Sequence, residues 1–598
     1  MLFLVIIASL LLTNCQKDFL EKPKGGSITV DTVFHTQKQA QYAVAQMYAK
    51  CIYNYFPTGW NTPRPDVITD QVYILHPAYD WCTGAINGGT YIQGNMSSST
   101  SNDWGGFSGH YSGIRQANLV LKNIDMVEDA SSGWKNDVKG QALFCRAMQH
   151  FELFRYYAGV PIVTKALDGN GLIQIRRSAV ASVVDSVVAW CDKAATLLPP
   201  TRSSSEFGKI TRLAAMALKA RILLYAASPL YNTPPNMAAT VSATRYNDAR
   251  DSVLAYPTYS KERWNRAAIA AKEVIDQASS SGVSLYDTGK PETTGESYTT
   301  IGDYESVWNV YANREMILVN TAGQFPTDDN WWGRFISSKI RENSWGVKNN
   351  VPIEFAQLYE KKDGTTWKFP SNGLDLPTDI KALNLDPRFY QTIAYDGMYY
   401  NSQRGTLEYY KKGDYNSNGS LSSSDAGVDG YALEVYKFVA RIDNMSDEHF
   451  SWPVFRLAEF YLSYAEAMNE YQGPSGLPTT YINMIRKRAG MPTKNINDAD
   501  AFRNAIQKER TVEFAYEGLR YNDLLRWLTA HTVLNQNLHG IATTARNVGG
   551  QLKRTWEVVP FIQRVFPTKY YYVPFPYTEI SKNYLGDGKG WSGQNPGW

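Results

Sequence analysis

Flat aromatic rings set among amides, guanidinium groups and hydroxyls can hold a sugar. The ring covers the apolar face of the pyranose, and the polar groups reach its hydroxyls. Two stretches of this sequence supply that mixture outside any helical periodicity. The first runs from Tyr73 to Trp104 and contains Tyr79, Trp81, Tyr91, Asn102 and Trp104. The second runs from Trp308 to Trp345 and contains Tyr311, Arg314, Trp331, Trp332 and Trp345. The strongest candidates are the adjacent rings in Asp328-Asp329-Asn330-Trp331-Trp332-Gly333, because two neighbouring indoles in so polar a stretch are hard to bury together. Trp308, in Ser306-Val307-Trp308-Asn309-Val310, alternates like a strand and is expected in the core. With 40 Tyr and 16 Trp in the chain, core packing competes with ligand contact at every one of these positions.

Other reactive constellations are sparser. Asp414-Tyr415-Asn416-Ser417-Asn418-Gly419, with Asp425 in the twelfth place, fits the calcium-loop pattern, in which alternating oxygens converge and a glycine allows the sharp turn. Asp425 stands where that pattern has Glu, and a Gly/Ser/Asn-rich surface loop reaches the same pattern by composition alone. Calcium therefore stands beside a plain loop, and no cofactor is required. Glu513 and Glu517 are four apart in a helical pattern, a spacing suited to paired carboxylates. Arg510 and Arg520, however, each lie three residues away and within ion-pairing reach, so scaffold is the reading adopted. The seven His are scattered, with no H-x-x-x-H pair, no G-x-S-x-G elbow and no phosphate-cradling Gly-Lys-Ser/Thr loop. No catalytic residue is assigned.

Residues Leu2 to Leu12 form an apolar run, broken only by Ala8 and Ser9, that is too short to span a bilayer and fits the h-region of an export signal. Leu12-Thr13-Asn14-Cys15 resembles a bacterial lipobox, in which the Cys is acylated, although no Lys or Arg precedes the h-region and Asn14 is larger than usual. The following Gln16 to Glu21 resembles the acidic tether of surface-exposed lipoproteins. Cys51, Cys82, Cys145 and Cys191 show no C-x-x-C spacing. An oxidising compartment allows a Cys51–Cys82 disulfide, but spacing does not establish one.

These residues need a frame, and amphipathic periodicity supplies it. Helices are expected over Gln37–Tyr55, Tyr111–Met126, Asn136–Tyr157, Ala179–Leu198, Ile210–Ala227 and Trp264–Ser279, then over Pro453–Tyr471, Thr479–Ala489 and Ala499–Leu528, with closing coil. Between 284 and 450, Gly, Asp, Asn and Pro punctuate short irregular pieces. A net charge of +3 with no long run of like charge argues against nucleic acid.

Nine short motifs in order carry a resemblance. They are Asp18-Phe19-Leu20-Glu21-Lys22-Pro23, then Tyr111, Ile114, Ala117 and Asn118, then Arg146-Ala147 through Tyr157-Ala158-Gly159-Val160-Pro161. Gly208-Lys209-Ile210-Thr211 to Ala220-Arg221 follows, then Arg456-Leu457-Ala458-Glu459 with Tyr464-Ala465-Glu466-Ala467. Ile485-Arg486-Lys487-Arg488-Ala489-Gly490, Glu509-Arg510 to Glu513-Phe514, Glu517 to Asp523, and Gln594-Asn595-Pro596-Gly597-Trp598 complete the set. Together they resemble the SusD/RagB family of outer-membrane nutrient-binding lipoproteins.

The resemblance implies a mostly α fold, a superhelix of tetratricopeptide-like helix pairs with a large aromatic-rich insertion. It implies glycan binding without cleavage, and a SusC-like TonB-dependent transporter as partner. The division expected is signal peptide 1–14, lipidated tether 15–32, helical region 33–232, and a C-terminal region 262–598 that includes the insertion 284–450. A secreted glycosidase and a helical-repeat protein scaffold are the competing readings.

Overall fold

The computed structural model describes residues 33–52, 66–75, 89–99, 106–167, 175–289, 292, 302–321, 348–369, 380–401, 405–407, 432–438 and 452–598. The helices of the frame form, several of them started by a side-chain cap. Thr36 closes a capping box with Gln39 at the head of α1 (Gln37–Cys51). α2 (Phe107–Asn123) leads into α3 (Ser132–Tyr157), where Ser131 accepts from the Trp134 amide. α4 (Val180–Leu197) precedes α5 (Arg212–Ala227), capped by Thr211, and α6 (Glu262–Ala278) follows. Each of these helices packs on the next, so the frame is a stack built in sequence order. Leu213, Ala217, Ala220 and Leu224 of α5 are all buried, and the two alanines allow close approach to α4 and α6.

The stack continues through the last third of the chain. After a short helix α7 (Asp303–Asn309), α8 (Leu457–Gln472) packs on α6, and α9 (Leu477–Arg488) and α10 (Ala499–Glu513) pack on α8. α11 (Arg520–Arg526) follows. Among the described residues no helix is long and apolar enough to cross a membrane.

Four expectations are corrected. The expected helix Pro453–Tyr471 begins only at Leu457, because Trp452–Arg456 is an antiparallel strand paired with Met316–Asn320. The expected helix Ala499–Leu528 is broken, since Tyr516 and Gly518 adopt φ of 61° and 76°, left-handed values that no α-helix continues through. Trp308 is in the core as expected, but on α7 rather than on a strand. The coil expected near the end contains a long hairpin, Asn537–Val548 against Gln551–Gln563, turning through Gly549 and Gly550. Both glycines have positive φ, the requirement of a two-residue turn whose twist matches its strands.

A small sheet lies beside the frame, built from β1 (Tyr73–Leu75), β2 (Lys348–Asn350), β3 (Ile393–Tyr395) and β4 (Leu433–Val435) in the order β1-β2-β4-β3. Among the described residues, apolar side chains form two clusters. One fills the helical frame, and the other joins this sheet to Tyr304, Trp308, Val512 and Tyr516.

Candidate functional site

The seam between the two clusters is ionic, and it resolves the carboxylates of the sequence. Glu513 is fully buried and accepts from Arg456 Nη1 at 2.7 Å, from Arg388 Nη1 at 3.0 Å and from Arg488. Glu517 pairs with Arg456 at 2.9 Å and with Lys437 at 2.7 Å. The guanidinium groups of Arg488, Arg456 and Arg388 outweigh the burial of Glu513 and hold its carboxyl well below the usual range. Burial pushes Lys437 down to about 8 against the pull of Glu517. These carboxylates are scaffold, as expected, but their partners differ from the helical neighbours expected. Arg510 turns to Asp523, and Arg520 grips Asp70 at 2.8 and 3.0 Å.

Arg520 and Asp70 matter for the site because they hold the approach to β1. Arg564 reinforces them by donating to the carbonyls of Val67 and Val72, each at 3.1 Å. Tyr73 stacks on Phe561 of the hairpin, with ring centroids 4.7 Å apart. Strand β1 then pairs antiparallel with β2 in the register Tyr73↔Asn350, Ile74↔Asn349 and Leu75↔Lys348. The chain therefore leaves β1 beside the point where it enters β2. In sequence, Tyr79 is four residues beyond Leu75, and Trp345 is three before Lys348. The two aromatic-rich stretches, far apart in sequence, are thus anchored on neighbouring strand ends. Tyr79, Trp81, Asn102, Trp104, Trp331, Trp332 and Trp345 themselves lie outside the described residues, as do Cys15, Cys82 and the calcium-loop residues Asp414, Asn416, Asn418 and Asp425.

Tyr311 and Arg314 are described, and they sit together. The turn that carries them is fixed by Asn313, whose amide donates to the Ser306 carbonyl at 2.9 Å while its oxygen accepts from the Glu315 amide at 2.8 Å. Tyr311 is 53% exposed, with the edge of its ring against Phe207 at 5.1 Å. Arg314 lies over the Tyr286 ring and donates to the Asp287 carbonyl at 2.6 Å. Phe207, Arg314, Ser203 and Ser204 line an open groove of about 340 Å³. Gly208 keeps φ at +87° on its wall, where an added Cβ would lie 2.8 Å from Thr321. An exposed ring, a cation fixed by a second ring, and hydroxyls around a groove suit a polyhydroxylated ligand. Phe207 was not singled out from the sequence, since only its contact with Tyr311 marks it.

Tyr91 is corrected. It is 4% exposed, its hydroxyl shares a hydrogen bond with that of Tyr521, and its ring packs on Tyr570, so it offers no face to a ligand. Cys51 is a buried free thiol. Among the described residues no group of His, Cys, Asp or Glu is arranged to hold a metal.

Comparison with known proteins bears on this geometry. A family model described as "SusD family" matches residues 305–598, and one described as "Starch-binding associating with outer membrane" matches residues 82–224. The chain belongs to the SusD/RagB family. The SusD-like proteins P25 and P38 of Formosa agariphila are 21% and 22% identical, over 88% of this chain and 89% and 90% of theirs. A SusD-like protein from Bacteroides fragilis NCTC 9343 superimposes with a TM-score of 0.72 at 22% identity, covering 95% of this chain and 98% of that one. A protein described as a laminarin binding SusD-like protein gives 0.58 at 18% identity, covering 94% and 100%. The fold is therefore the mostly helical SusD fold.

The SusD motifs now have a physical meaning. Asn118 of the first helical motif accepts from Arg146 of the second at 3.2 Å. Arg221 makes a bidentate pair with Glu459 at 2.7 and 2.6 Å, and Arg526 pairs with Glu466. Asn595 donates to the Val573 carbonyl at 2.8 Å. These motifs join elements of the frame to one another.

Proposed function

We propose that this protein binds an oligo- or polysaccharide at the outer surface of the cell without cleaving it. It is held to the outer membrane through acylated Cys15 and hands its ligand to a SusC-like TonB-dependent transporter. The observation that carries the reading is the β1–β2 register, which anchors the two aromatic-rich stretches on neighbouring strand ends beside the frame. The groove flanked by Tyr311 and Arg314 supports it with a ring and a cation of the right chemistry. Likeness in fold to a solved structure described as surface glycan-binding protein A from Bacteroides fluxus, with a TM-score of 0.57 at 19% identity, supports it further.

The test is calorimetry of the chain starting after Cys15 against a panel of glycans, with chromatography of the sugar afterwards. A saccharide should bind and be recovered intact. Trp331→Ala/Trp332→Ala should abolish the binding. Tyr311→Ala should weaken it by about 1–2 kcal/mol, the scale of one stacked ring. Shortened sugar products would replace the binding role with a glycosidase. Absence of binding to every saccharide would remove the reading.

A further inference from the structure

A second cleft, of about 460 Å³, opens between α2 and the segment that follows α3. Its α2 wall carries Phe107, Tyr111 and Arg115, and its facing walls carry Val163, Lys165 and Tyr584. The cleft is held rigidly. The Tyr111 hydroxyl donates to the Pro161 carbonyl at 2.8 Å. Asn118 donates to the Val163 carbonyl at 3.1 Å, and His150 Nε2 accepts from the Val163 amide at 3.2 Å.

Its charges are unequal. Glu579 lies in the lining, but its carboxylate is already engaged by Lys582 at 2.7 Å and by the Tyr584 hydroxyl at 2.8 Å. Arg115 and Lys165 are exposed, and neither side chain makes a hydrogen bond or ion pair among the described residues. A chain whose net charge is only +3 thus places in the lining of one aromatic-walled cleft two cations that have no acidic partner among the described residues. Cations without an acidic partner among the described residues, beside half-buried tyrosine rings, favour a ligand that is both cyclic and anionic.

The place agrees with this. In sequence the cleft wall begins at Phe107, directly after the stretch that carries Asn102 and Trp104. The Tyr577 amide donates to the Ser98 carbonyl at 3.2 Å and brings the Glu579 segment to the same side.

We infer that this cleft is a saccharide subsite for an acidic sugar unit, with Arg115 and Lys165 taking its carboxylate or sulfate and Tyr111 and Tyr584 its ring. The inference rests on the saccharide-binding reading above and adds the charge of the ligand. The cations belong to exposed side chains, so their removal leaves the fold in place.

The experiment titrates the chain starting after Cys15 with three probes of equal length: tetragalacturonate, a sulfated carrageenan tetrasaccharide and neutral laminaritetraose. It is repeated with Arg115→Gln/Lys165→Gln and with Tyr311→Ala/Arg314→Ala, in low and high salt. At least one acidic probe should bind more tightly than the neutral one. The Gln variant should bind that probe about tenfold more weakly in low salt and the neutral probe unchanged. The difference should shrink in high salt, where screening shortens to a few ångströms. Preference for the galacturonate assigns the cleft to carboxylates, and preference for the carrageenan assigns it to sulfates. Acidic binding unaffected by the Gln variant, or neutral binding lost equally, overturns the subsite. Neutral binding that needs Tyr311 and Arg314, without any acidic preference, overturns the subsite alone. Failure of all three probes while another saccharide of the panel binds overturns the subsite alone, and failure of the whole panel overturns the saccharide reading with it.

Discussion

His150 bonds to two backbone groups at once. Its Nδ1–H donates to the Arg146 carbonyl at 2.8 Å while Nε2 accepts from the Val163 amide, and only the neutral ring does both. Burial pushes its pKa down to about 4, against about 6.5 in an unfolded chain. Between those values the unfolded state binds more protons. Stability is therefore full above about pH 6.5 and falls as the pH drops towards 4, by on the order of 3 kcal/mol from this residue. Burial also raises Glu292, to about 6, and that group acts in the opposite sense. Urea unfolding at pH 7 and pH 4.5 should show a smaller drop for His150→Gln than for the native chain. An equal drop would remove His150 as the source. At the groove, Arg314→Ala should leave stability within about 0.5 kcal/mol, as for a surface residue. It should nevertheless reduce saccharide affinity, read by calorimetry beside a melting curve.

At the scale of elements, two glycine signals explain connections that periodicity does not reach. Gly159, in Tyr157-Ala158-Gly159-Val160-Pro161, lies where a Cβ would sit 2.2 Å from the Ser178 carbonyl oxygen and 2.7 Å from that of Val253. Both obstacles are backbone, so the chain itself would have to move. Gly159→Ala should cost about 3 kcal/mol, measured by denaturant unfolding, and a loss below about 1 kcal/mol would mean the segment yields. In the hairpin, Gly549-Gly550→Ala-Ala puts Cβ atoms into left-handed backbone at two positions and should cost about 2 kcal/mol in all. Gly549→Asn should be nearly neutral, since Asn tolerates that conformation. Comparing the two variants by thermal unfolding separates the cost of the left-handed backbone from that of an added side chain. The Gly-Gly pair was visible in the sequence, and it marks the hairpin that helical periodicity passes over.

At the scale of the molecule, the described residues form two apolar clusters joined by a buried ionic seam, with Glu513 in its middle. Glu513→Ala leaves three guanidinium groups without their shared carboxylate and should cost about 3–5 kcal/mol. Because the seam lies between the clusters, the loss should appear as a separation of the unfolding transition into two steps in calorimetry. A single transition with unchanged midpoint would show that the clusters cohere without it. What the sequence by itself determined is local. Amphipathic periods marked the helices of the frame, caps such as Thr36 and Thr211 fixed where two of them begin, and the ordered motifs carried the SusD/RagB resemblance. Tertiary structure alone decided the partnerships. Arg510 is three residues from Glu513, yet Glu513 pairs with Arg388, 125 positions away, and with Arg456, 57 away. Tyr91 reads like a loop aromatic, and only its contact with Tyr521, 430 positions on, makes it core. The pairing of Leu75 with Lys348, the strand ends from which the two aromatic stretches run in sequence, is likewise set by which backbone edges meet. Helical spacing constrains neighbours three or four residues apart, whereas buried charges and strand edges are satisfied by whatever the folded chain brings to them.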